Sequence, residues 1–224
     1  MYLTNEKADK TLFRVHSYFF VRESDYWKEE LGDAVDEPLK KGQDVRNSII
    51  LDETPSDFAW FSITCAFYFL GKDKGKIIRP TSSFGNYTKA TQHDWKTILR
   101  IAAKWGFDQV RELAVRHLEN TDIDLVNRIK LYKEHGVAQK HLFPLYMQLA
   151  VRRELITLDE AQILGMETLV KIHSVRERIR APVIKEQPLH SPVRKDVNPK
   201  DITDIVASTF NIPIMNGQML SPLT

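Results

Sequence analysis

The sequence predicts a mixed α/β (α+β) fold that is rich in helix, and three observations indicate it. Residues Thr11–Val15 alternate between two faces, with Phe13 and Val15 on one of them, as in a half-buried strand. Apolar side chains then recur at helical spacing on one stripe: Phe20, Trp27 and Leu31, with Ser24 between them. Finally, a helix start at Thr54–Asp57 precedes a long apolar run. A small sheet surrounded by helices follows from this order.

Three short strands are predicted in the first quarter of the chain. Met1–Asn5 and Thr11–Val15 form a β-hairpin, joined by the polar connection Glu6–Lys10. Asn47–Asp52 is a further short run that is rich in strand-forming residues. Between them, Gly32–Arg46 contains charges, a proline and two glycines without a sustained period, which predicts a surface loop.

The helix after the hairpin is expected to have a buried side and an aromatic outer side. Ser17 is predicted to cap it, Leu31 to end its apolar stripe, and Phe20 and Trp27 to lie in the core. Three further aromatic residues occupy the flank that faces away from the core: Tyr18, Phe19 and Tyr26. Exposed aromatic side chains at this density indicate an interaction surface.

A central core helix is predicted from Thr54 to about Leu70. Thr54 is placed to cap it, with a proline at its first position and a carboxylate at its third. The helix is apolar nearly all round, which is typical of a buried helix, through Phe58, Trp60, Phe61, Ile63, Cys65, Phe67 and Phe69. The following segment, Gly71–Asn86, is polar and basic at first and is predicted to be an inserted loop.

Residues 91–180 are predicted to be almost entirely helical. Thr91 or Asp94 can begin the first helix of this region, with its apolar face on Trp95, Ile98, Leu99 and Ala102. Gly106 supplies a stop signal, and Asp108 is predicted to cap the next helix. Two short helices joined through this glycine are therefore expected.

The later helices of this region have less uniform signals. Asp122–His135 is predicted as one helix that ends at Gly136. Pro144 is expected at the first position of the next helix, because a proline inside a helix removes a hydrogen bond and crowds the preceding turn. Thr157 with Glu160 forms a capping-box pattern that predicts a further helix start.

Residues 181–224 differ in composition and are predicted to be a linker or disordered tail with one short helix at 199–210. Prolines recur there with few aromatics and scattered charge. Asn198 precedes a proline and, three positions on, Asp201, which repeats the start signal seen at Thr54. The helix has a narrow apolar stripe: Ile202, Ile205, Val206 and Phe210. It is expected to dock on a partner or back on the domain; a stripe formed by chance in a disordered tail is the alternative.

Five stretches, in this order, resemble a BTB/POZ domain: Phe13–Ser24 (FRVHSYFFVRES), Ile49–Phe58 (IILDETPSDF), Asp94–Leu118 (DWKTILRIAAKWGFDQVRELAVRHL), Arg128–Gly136 (RIKLYKEHG) and Leu158–Ile172. The chain is most similar to the BTB domain-containing proteins of mushroom-forming fungi, in which a strand ending in His runs into a helix of the form YFFxRES. The resemblance covers roughly residues 1–180. It implies a BTB/POZ domain at 1–120, a helical extension at 121–180 and the tail at 181–224.

The resemblance implies a function in assembly without catalysis. BTB domains generally bring proteins together, so the chain is expected to be a non-catalytic scaffold or adaptor that binds itself or another BTB protein. A sharper expectation is a substrate adaptor for a cullin-type ubiquitin ligase, and the neighbouring one is transcriptional regulation. Many animal members dimerise through an extra helix ahead of the first strand. This chain begins at Met1 without one, so we expect either association through another face or a chain that is monomeric until it meets its partner.

Composition limits the classes of protein to consider. The 224 residues are 42% hydrophobic and 28% charged, which is ordinary for a globular domain, and no apolar run is long enough to cross a bilayer. A single Cys excludes an intramolecular disulfide, and the first ten residues lack the pattern of a signal peptide. We therefore expect an intracellular protein of the cytoplasm or nucleus, without a membrane partner.

Candidate catalytic, cofactor and metal residues are each better explained structurally. Cys65 lies in the most apolar helix without a neighbouring His, so a buried structural thiol is expected. His16 is expected to be a hydrogen-bonded structural residue. The seven His have no metal-binding spacing. The segment Gly71–Lys76 resembles a phosphate loop, but it has three residues between its glycines, and Ile77 follows the lysine. No catalytic residue, cofactor site or metal site is predicted.

The segment Arg176–Lys195 is the one local concentration of positive charge. Its basic residues could form a nuclear localisation signal or a nucleic-acid contact, because cations attract phosphate. A solvated helix end and linker is favoured, since base-stacking aromatics are absent and the net charge of the chain is only +2. Nucleic-acid binding or transcriptional regulation through this segment therefore remains the alternative function.

Overall fold

A computed structural model of the chain describes residues 1–5, 11–31, 41–73, 89–180, 198–215 and 218–219. The fold is mixed α/β and mostly helical, with one small three-stranded sheet. The chain forms two compact units, Met1–Thr121 and Asp122–Thr224. Residues 32–40 of the predicted loop Gly32–Arg46 and residues 74–86 of the predicted loop Gly71–Asn86 lie outside the described residues. Residues 71–73 are helical rather than part of a loop.

The sheet contains the three predicted strands: β1 (Tyr2–Asn5), β2 (Leu12–Arg14) and β3 (Ile49–Leu51). The strand order is β2-β1-β3, with β2 antiparallel and β3 parallel to the central strand β1. Leu3 of β1 is fully buried. Gly42 accepts a hydrogen bond from the Tyr2 N–H and has a φ of +75°, a conformation that favours glycine.

Two helices follow the hairpin where one was predicted: α1 (Ser17–Glu23) and α2 (Asp25–Leu31). The single helix is wrong because Ser24 adopts an extended conformation. Its hydroxyl accepts a hydrogen bond from the Trp27 N–H at 3.1 Å and donates one to the carbonyl of Trp105. The predicted cap at Ser17 is also wrong, because His16 occupies the N-cap position and its side chain makes no capping hydrogen bond.

The central helix α3 (Pro55–Asp73) begins as predicted and extends slightly further. Its first turn is capped by the Thr54 hydroxyl, which accepts a hydrogen bond from the Asp57 N–H at 3.2 Å. The predicted core residues on one side of the helix are buried, namely Phe58, Phe61, Cys65 and Phe69, whereas Trp60 and Ile63 are only half-buried. The helix therefore has a buried side, although its composition is apolar nearly all round.

The first unit is completed by α4 (Gln92–Lys104) and α5 (Asp108–Glu119). Thr91 and Asp94 form a reciprocal capping box at the start of α4, as predicted. Gly106 lies between the two helices with a φ of +70°. The predicted cap at Asp108 is wrong, because Phe107 occupies the N-cap position and Asp108 is the first residue of α5. Six buried rings, from α1, α2, α3 and the α4–α5 connection, form an aromatic cluster: Phe20, Trp27, Phe58, Phe61, Trp105 and Phe107.

A buried carboxylate connects β3 to α4 within the first unit. Glu53 is only 3% exposed and accepts hydrogen bonds from Arg100 at 2.6 Å and from Lys104 at 2.9 Å. Burial acts to raise the pKa of Glu53, but these two cations outweigh burial and hold the pKa below its usual value. The carboxylate is therefore charged in the folded protein at neutral pH.

The second unit begins with α6 (Leu125–Glu134) and α7 (Gln139–Val151). The Asp124 side chain caps α6. The prediction that Pro144 begins a helix is wrong, because it lies inside α7. The hydrogen bond lost at the proline is offset by the burial of the helix's apolar side chains, namely Leu142, Phe143, Leu145, Tyr146 and Leu149.

The predicted helix start at Thr157 opens α8 (Leu158–Leu164), and α9 (Met166–Arg180) follows after one residue. Thr157 and Glu160 form a capping box. Glu160 also accepts two hydrogen bonds of 2.7 Å from the Arg152 guanidinium. These bonds lower the pKa of Glu160 to about 2, so this pair stays ionised.

The short helix expected in the tail forms as α10 (Pro199–Phe210), with Asn198 as its cap. It belongs to the second unit, where it packs against α7 and α9, rather than to a separate tail. Beyond it, β4 (Ile214–Met215) pairs with β5 (Gln218–Met219). The predicted linker at 181–197 lies outside the described residues. None of the described helices has the length and apolar character that crossing a bilayer requires.

Candidate interaction surface

The buried residues of α1 and α2 determine which aromatic residues of these helices face outward. Phe20 and Trp27 point into the aromatic cluster, where they are 4% and 1% exposed. The opposite side of the helices therefore faces outward. Tyr18 is 56% exposed and Tyr26 is 46% exposed, as the helical periodicity predicts.

Phe19 differs from the two tyrosines because it is half-buried. Its ring stacks on the ring of Phe69, with centroids 6.1 Å apart and an angle of 12° between the planes. The Tyr18 ring contacts the Phe19 ring edge-on, at a centroid distance of 5.4 Å. Phe19 thus connects an exposed tyrosine to the buried side of α3, which restricts the rotation of both rings.

Arg22 completes this group, and the sequence interpretation missed it. Its guanidinium lies 5.1 Å from the ring centroid of Tyr18 and 5.3 Å from that of Phe19. Its Nε also donates a 2.5 Å hydrogen bond to the Glu23 carboxylate. Such cation–π contacts contribute about 0.5–1 kcal/mol at exposed sites. The signal was available, because Arg22 follows Tyr18 by four residues, which places both on one side of a helix.

We call Tyr18, Phe19 and Arg22 the α1 surface. It presents aromatic faces and a planar cation in one fixed arrangement. Tyrosine and arginine are enriched at protein interfaces, because both combine a large contact area with hydrogen-bonding groups. The α1 surface is therefore suited to binding another protein.

Tyr26 does not join the α1 surface. Its ring contacts the ring of Trp27, with centroids 5.4 Å apart, and no ring contact to Tyr18 or Phe19 is present in the described part of the chain. A shallow cleft lies beside Arg22 and is lined partly by carboxylates, among them Glu23, Asp25 and Asp108. The predicted surface thus consists of a connected group on α1 and a separate tyrosine on α2.

Cys65 and His16 were predicted to be structural rather than catalytic, and their surroundings can be compared with that prediction. Cys65 is buried, and burial together with the negative charge of Glu23 raises the pKa of its thiol well above the usual value. The thiolate that a nucleophile requires is therefore disfavoured. His16 is exposed, and its ring contacts Phe19 edge-on at 6.3 Å. Among the described residues, the contact found for the His16 side chain is this ring contact and not the expected hydrogen bond.

The candidate residues of the tail helix make contacts inside the second unit. Val206 is fully buried, whereas Ile202, Ile205 and Phe210 are half-buried. The Phe210 ring stacks on the Tyr146 ring of α7 at a centroid distance of 4.0 Å. These four residues are therefore occupied by contacts within their own unit.

Arg176, the first cation of the basic segment 176–195, is not accessible to a partner. Arg176 is only 3% exposed. Its guanidinium donates hydrogen bonds of 2.8–3.0 Å to the carbonyl of Leu149 in the last turn of α7 and to those of Arg152 and Glu154 just after it. Arg178 is exposed and donates to the Thr209 hydroxyl at 3.3 Å. Arg176 thus serves the fold rather than a phosphate.

No cluster of three or more His, Cys, Asp or Glu side chains suited to holding a metal ion occurs among the described residues. Comparison with known proteins adds no assignment, since no family model, no curated protein and no solved structure matches the chain. The geometry of the two units is therefore the basis for inferring a function.

Proposed function

We propose that the chain is a non-catalytic interaction module of the BTB/POZ kind, which associates with itself or with another BTB protein. The α1 surface, with Tyr26 on the neighbouring helix, is the proposed interface. The observation that carries the proposal is the exposure of Tyr18 and Tyr26 on helices that bury Phe20 and Trp27 on their other sides. When a partner covers apolar rings that were exposed to water, the free energy of the system falls, which favours association.

The order of elements supports the BTB/POZ part of the proposal. The resemblance implies a small sheet formed by the hairpin and a strand near residue 50, with helices after it. The strands β1, β2 and β3 join one sheet, and α3, α4 and α5 follow. This support is at the level of architecture, and the resemblance itself rests on the five sequence stretches.

The absence of catalysis is also part of the proposal. Cys65 is supported as a structural residue by its burial and by the raised pKa of its thiol. His16 is exposed beside an aromatic ring, which suits a surface contact. We accordingly propose that no cofactor takes part in the function.

Two partner classes beyond BTB chains follow from the resemblance. A cullin-type ubiquitin ligase scaffold is the sharper one, and a transcriptional regulator is the neighbouring one. Direct association with nucleic acid through residues 176–195 is less favoured, because Arg176 is buried against three carbonyls. Residues 181–195 lie outside the described part of the chain.

Sedimentation velocity of the full chain over a range of concentrations tests the proposal. We expect self-association in the micromolar range for the wild-type chain and its loss in the double variant Tyr18→Ser/Tyr26→Ser. The matched control is Leu155→Ser/Leu158→Ser, because both leucines are 74% exposed in the second unit. The control should associate like wild type.

A heteromeric partner requires a second measurement. The tagged wild-type chain and both double variants would be incubated with purified BTB proteins and with a cullin scaffold. Binding that is lost only in the tyrosine variant supports the proposal. A wild-type chain that stays monomeric at several hundred micromolar and binds none of these proteins would contradict it.

A further inference from the structure

The second unit contains a surface that accepts an amphipathic helix. We call it the α7–α9 groove, because α10 packs against these two helices. Val206 and Ala207 of α10 are buried there, at 0% and 3% exposed, and Ile212 beyond the helix is 5% exposed. On the opposite side of α10, Asp204 and Ser208 are exposed to solvent. The contact is therefore made by one narrow apolar stripe.

The end of the stripe has the most specific contact. The Phe210 ring lies parallel to the Tyr146 ring, with centroids 4.0 Å apart and planes at 12°. The Lys171 ammonium of α9 lies 5.8 Å from the Phe210 centroid. An aromatic ring between a tyrosine face and a cation distinguishes this position from a general apolar contact.

The boundaries of α10 are set by its own sequence. Asn198 caps the first turn, and Pro199 occupies the first helical position. Asn211 ends the helix in the left-handed conformation, with a φ of +55°. A helix of 12 residues is marginal alone in water, so its folded state depends on the groove.

The connection to α10 differs from the other connections of this unit. Four residues separate α6 from α7, six separate α7 from α8, and one separates α8 from α9. Between α9 and α10 there are 18 residues, 181–198. Helices that form a permanent part of a bundle are usually joined by about two to eight residues. A connection of this length lets a helix leave its site without strain on the rest of the unit.

We propose that the α7–α9 groove is a binding site for a partner's amphipathic helix, and that α10 is its resident occupant, which must leave before the partner binds. The partner helix would carry a β-branched residue and, four positions later, an aromatic residue, as Val206 and Phe210 do. An aliphatic residue would follow the end of the partner helix, as Ile212 follows α10. This inference concerns the second unit and is independent of the function proposed for the α1 surface.

The covalent connection sets the competition that a partner must win. A covalent tether of this kind holds its helix at an effective concentration on the order of millimolar. A free peptide with the sequence of α10 should therefore bind the wild-type chain weakly. It should bind much more tightly when the resident helix is prevented from docking.

The test measures binding of a fluorescent peptide of residues 198–212 to the full chain. In the variant Val206→Asp, a buried carboxylate would undock α10, and we expect the peptide to bind at least tenfold more tightly than to wild type. The control Ser208→Asp changes the exposed side of α10 and should behave like wild type. A peptide with Phe210→Ala should bind at least tenfold more weakly to the undocked variant.

Hydrogen exchange on the wild-type chain provides a second measurement that needs no variant. Excess peptide should increase the exchange of the chain's own residues 202–210, because the peptide replaces them in the groove. Unchanged exchange at saturating peptide would overturn the proposal. So would equal peptide affinity for the wild-type and Val206→Asp chains, since α10 would then not compete for the site.

Discussion

The core of the first unit contains a cluster of contacting aromatic rings, whereas the core of the second unit is built mainly from aliphatic side chains. In Met1–Thr121, six rings contact one another edge-on at centroid distances between 5.2 and 6.1 Å. In Asp122–Thr224, the buried residues are mostly Val, Ile and Leu, such as Val126, Ile129, Leu149, Ile172 and Val175. Replacing one ring of this cluster therefore removes a large buried side chain from the first unit.

The two units also differ in the charge that each buries. The first buries the carboxylate of Glu53 between two cations, Arg100 and Lys104. The second buries the guanidinium of Arg176 against three backbone carbonyls. A carboxylate can be neutralised by acid, whereas carbonyls do not titrate and arginine stays charged. The buried charge of the first unit should therefore respond to acid, whereas the buried charge of the second should not.

This difference explains why exposed aromatic residues are informative in the first unit. Six of its rings form the buried aromatic cluster, and Tyr18 and Tyr26 remain outside it. The large apolar residues exposed in the second unit are aliphatic: Leu155, Leu158, Met166 and Val170. Exposed rings have both apolar faces and hydrogen-bonding groups, so they favour specific protein contacts.

The largest expected effect is the loss of a ring from the aromatic cluster. Trp27→Ala should destabilise the first unit by about 3–5 kcal/mol, because it removes a fully buried side chain and leaves a cavity. All four tryptophans lie before residue 121, so tryptophan fluorescence reports the unfolding of this unit. The control Tyr26→Ala should cost less than about 1 kcal/mol. A melting temperature within a degree of wild type for Trp27→Ala would contradict the packing.

A smaller effect is expected from the buried cation of the second unit. Arg176→Met keeps most of the apolar volume but leaves the three carbonyls without this donor, which should cost roughly 1–3 kcal/mol. Far-UV circular dichroism should show the loss, with little change in the fluorescence transition. Arg178→Met, at an exposed position two residues on, serves as the control. An equal loss of stability in both variants would contradict the structural role of Arg176.

Acid should weaken the first unit through Glu53. The pKa of this carboxyl is lowered in the folded state, so its contribution is present above its unfolded pKa of about 4.5. It should be lost as the pH falls through the lower, folded value. The urea midpoint followed by tryptophan fluorescence should therefore decrease below about pH 4.5. The variant Glu53→Gln should be less stable at pH 7 and show a flatter profile; an identical pH dependence would contradict the assignment.

The smallest effect should be the same in both units. Thr91 and Thr157 form equivalent capping boxes at the starts of α4 and α8. Replacing either by alanine should cost about 1 kcal/mol. The first variant should shift the fluorescence transition and the second the circular dichroism transition. A shift of more than about 3 kcal/mol in either case would indicate a role beyond capping.

Helix starts could be predicted from the sequence because capping is local. Thr54, Thr91, Thr157 and Asn198 each lie within three residues of the N–H groups that they cap. The hairpin and the third strand were also predicted, although the parallel pairing of β3 with β1 was not. These features depend on side chains that are close together in the chain.

The failures share a different cause. Ser24 breaks the first helix because its hydroxyl finds the Trp105 carbonyl, 81 residues away. Pro144 is tolerated inside α7 because apolar side chains on that helix are buried by tertiary packing. Arg176 was interpreted as a surface cation, because its three acceptors lie 22–27 residues earlier. Contacts between distant residues override local preference in each case.

The predicted interaction residues of α1 and α2 show the same difference between local spacing and long-range contacts. Helical periodicity correctly placed Tyr18 and Tyr26 outside the core. It did not reveal that Phe19 is half-buried, because this depends on Phe69 in another helix. Local spacing could have identified Arg22, since it lies one helical turn from Tyr18.

The central claim is that the outward side of α1 is a protein interface, and photo-crosslinking from that side tests it most directly. A benzophenone amino acid would replace Tyr18 in the full chain, with a second protein carrying it in place of Leu158 as the control. We predict a crosslinked adduct, to a second copy or to a BTB or cullin partner, only from position 18. Equal crosslinking from both positions, or none from position 18 at concentrations where association occurs, would contradict the claim.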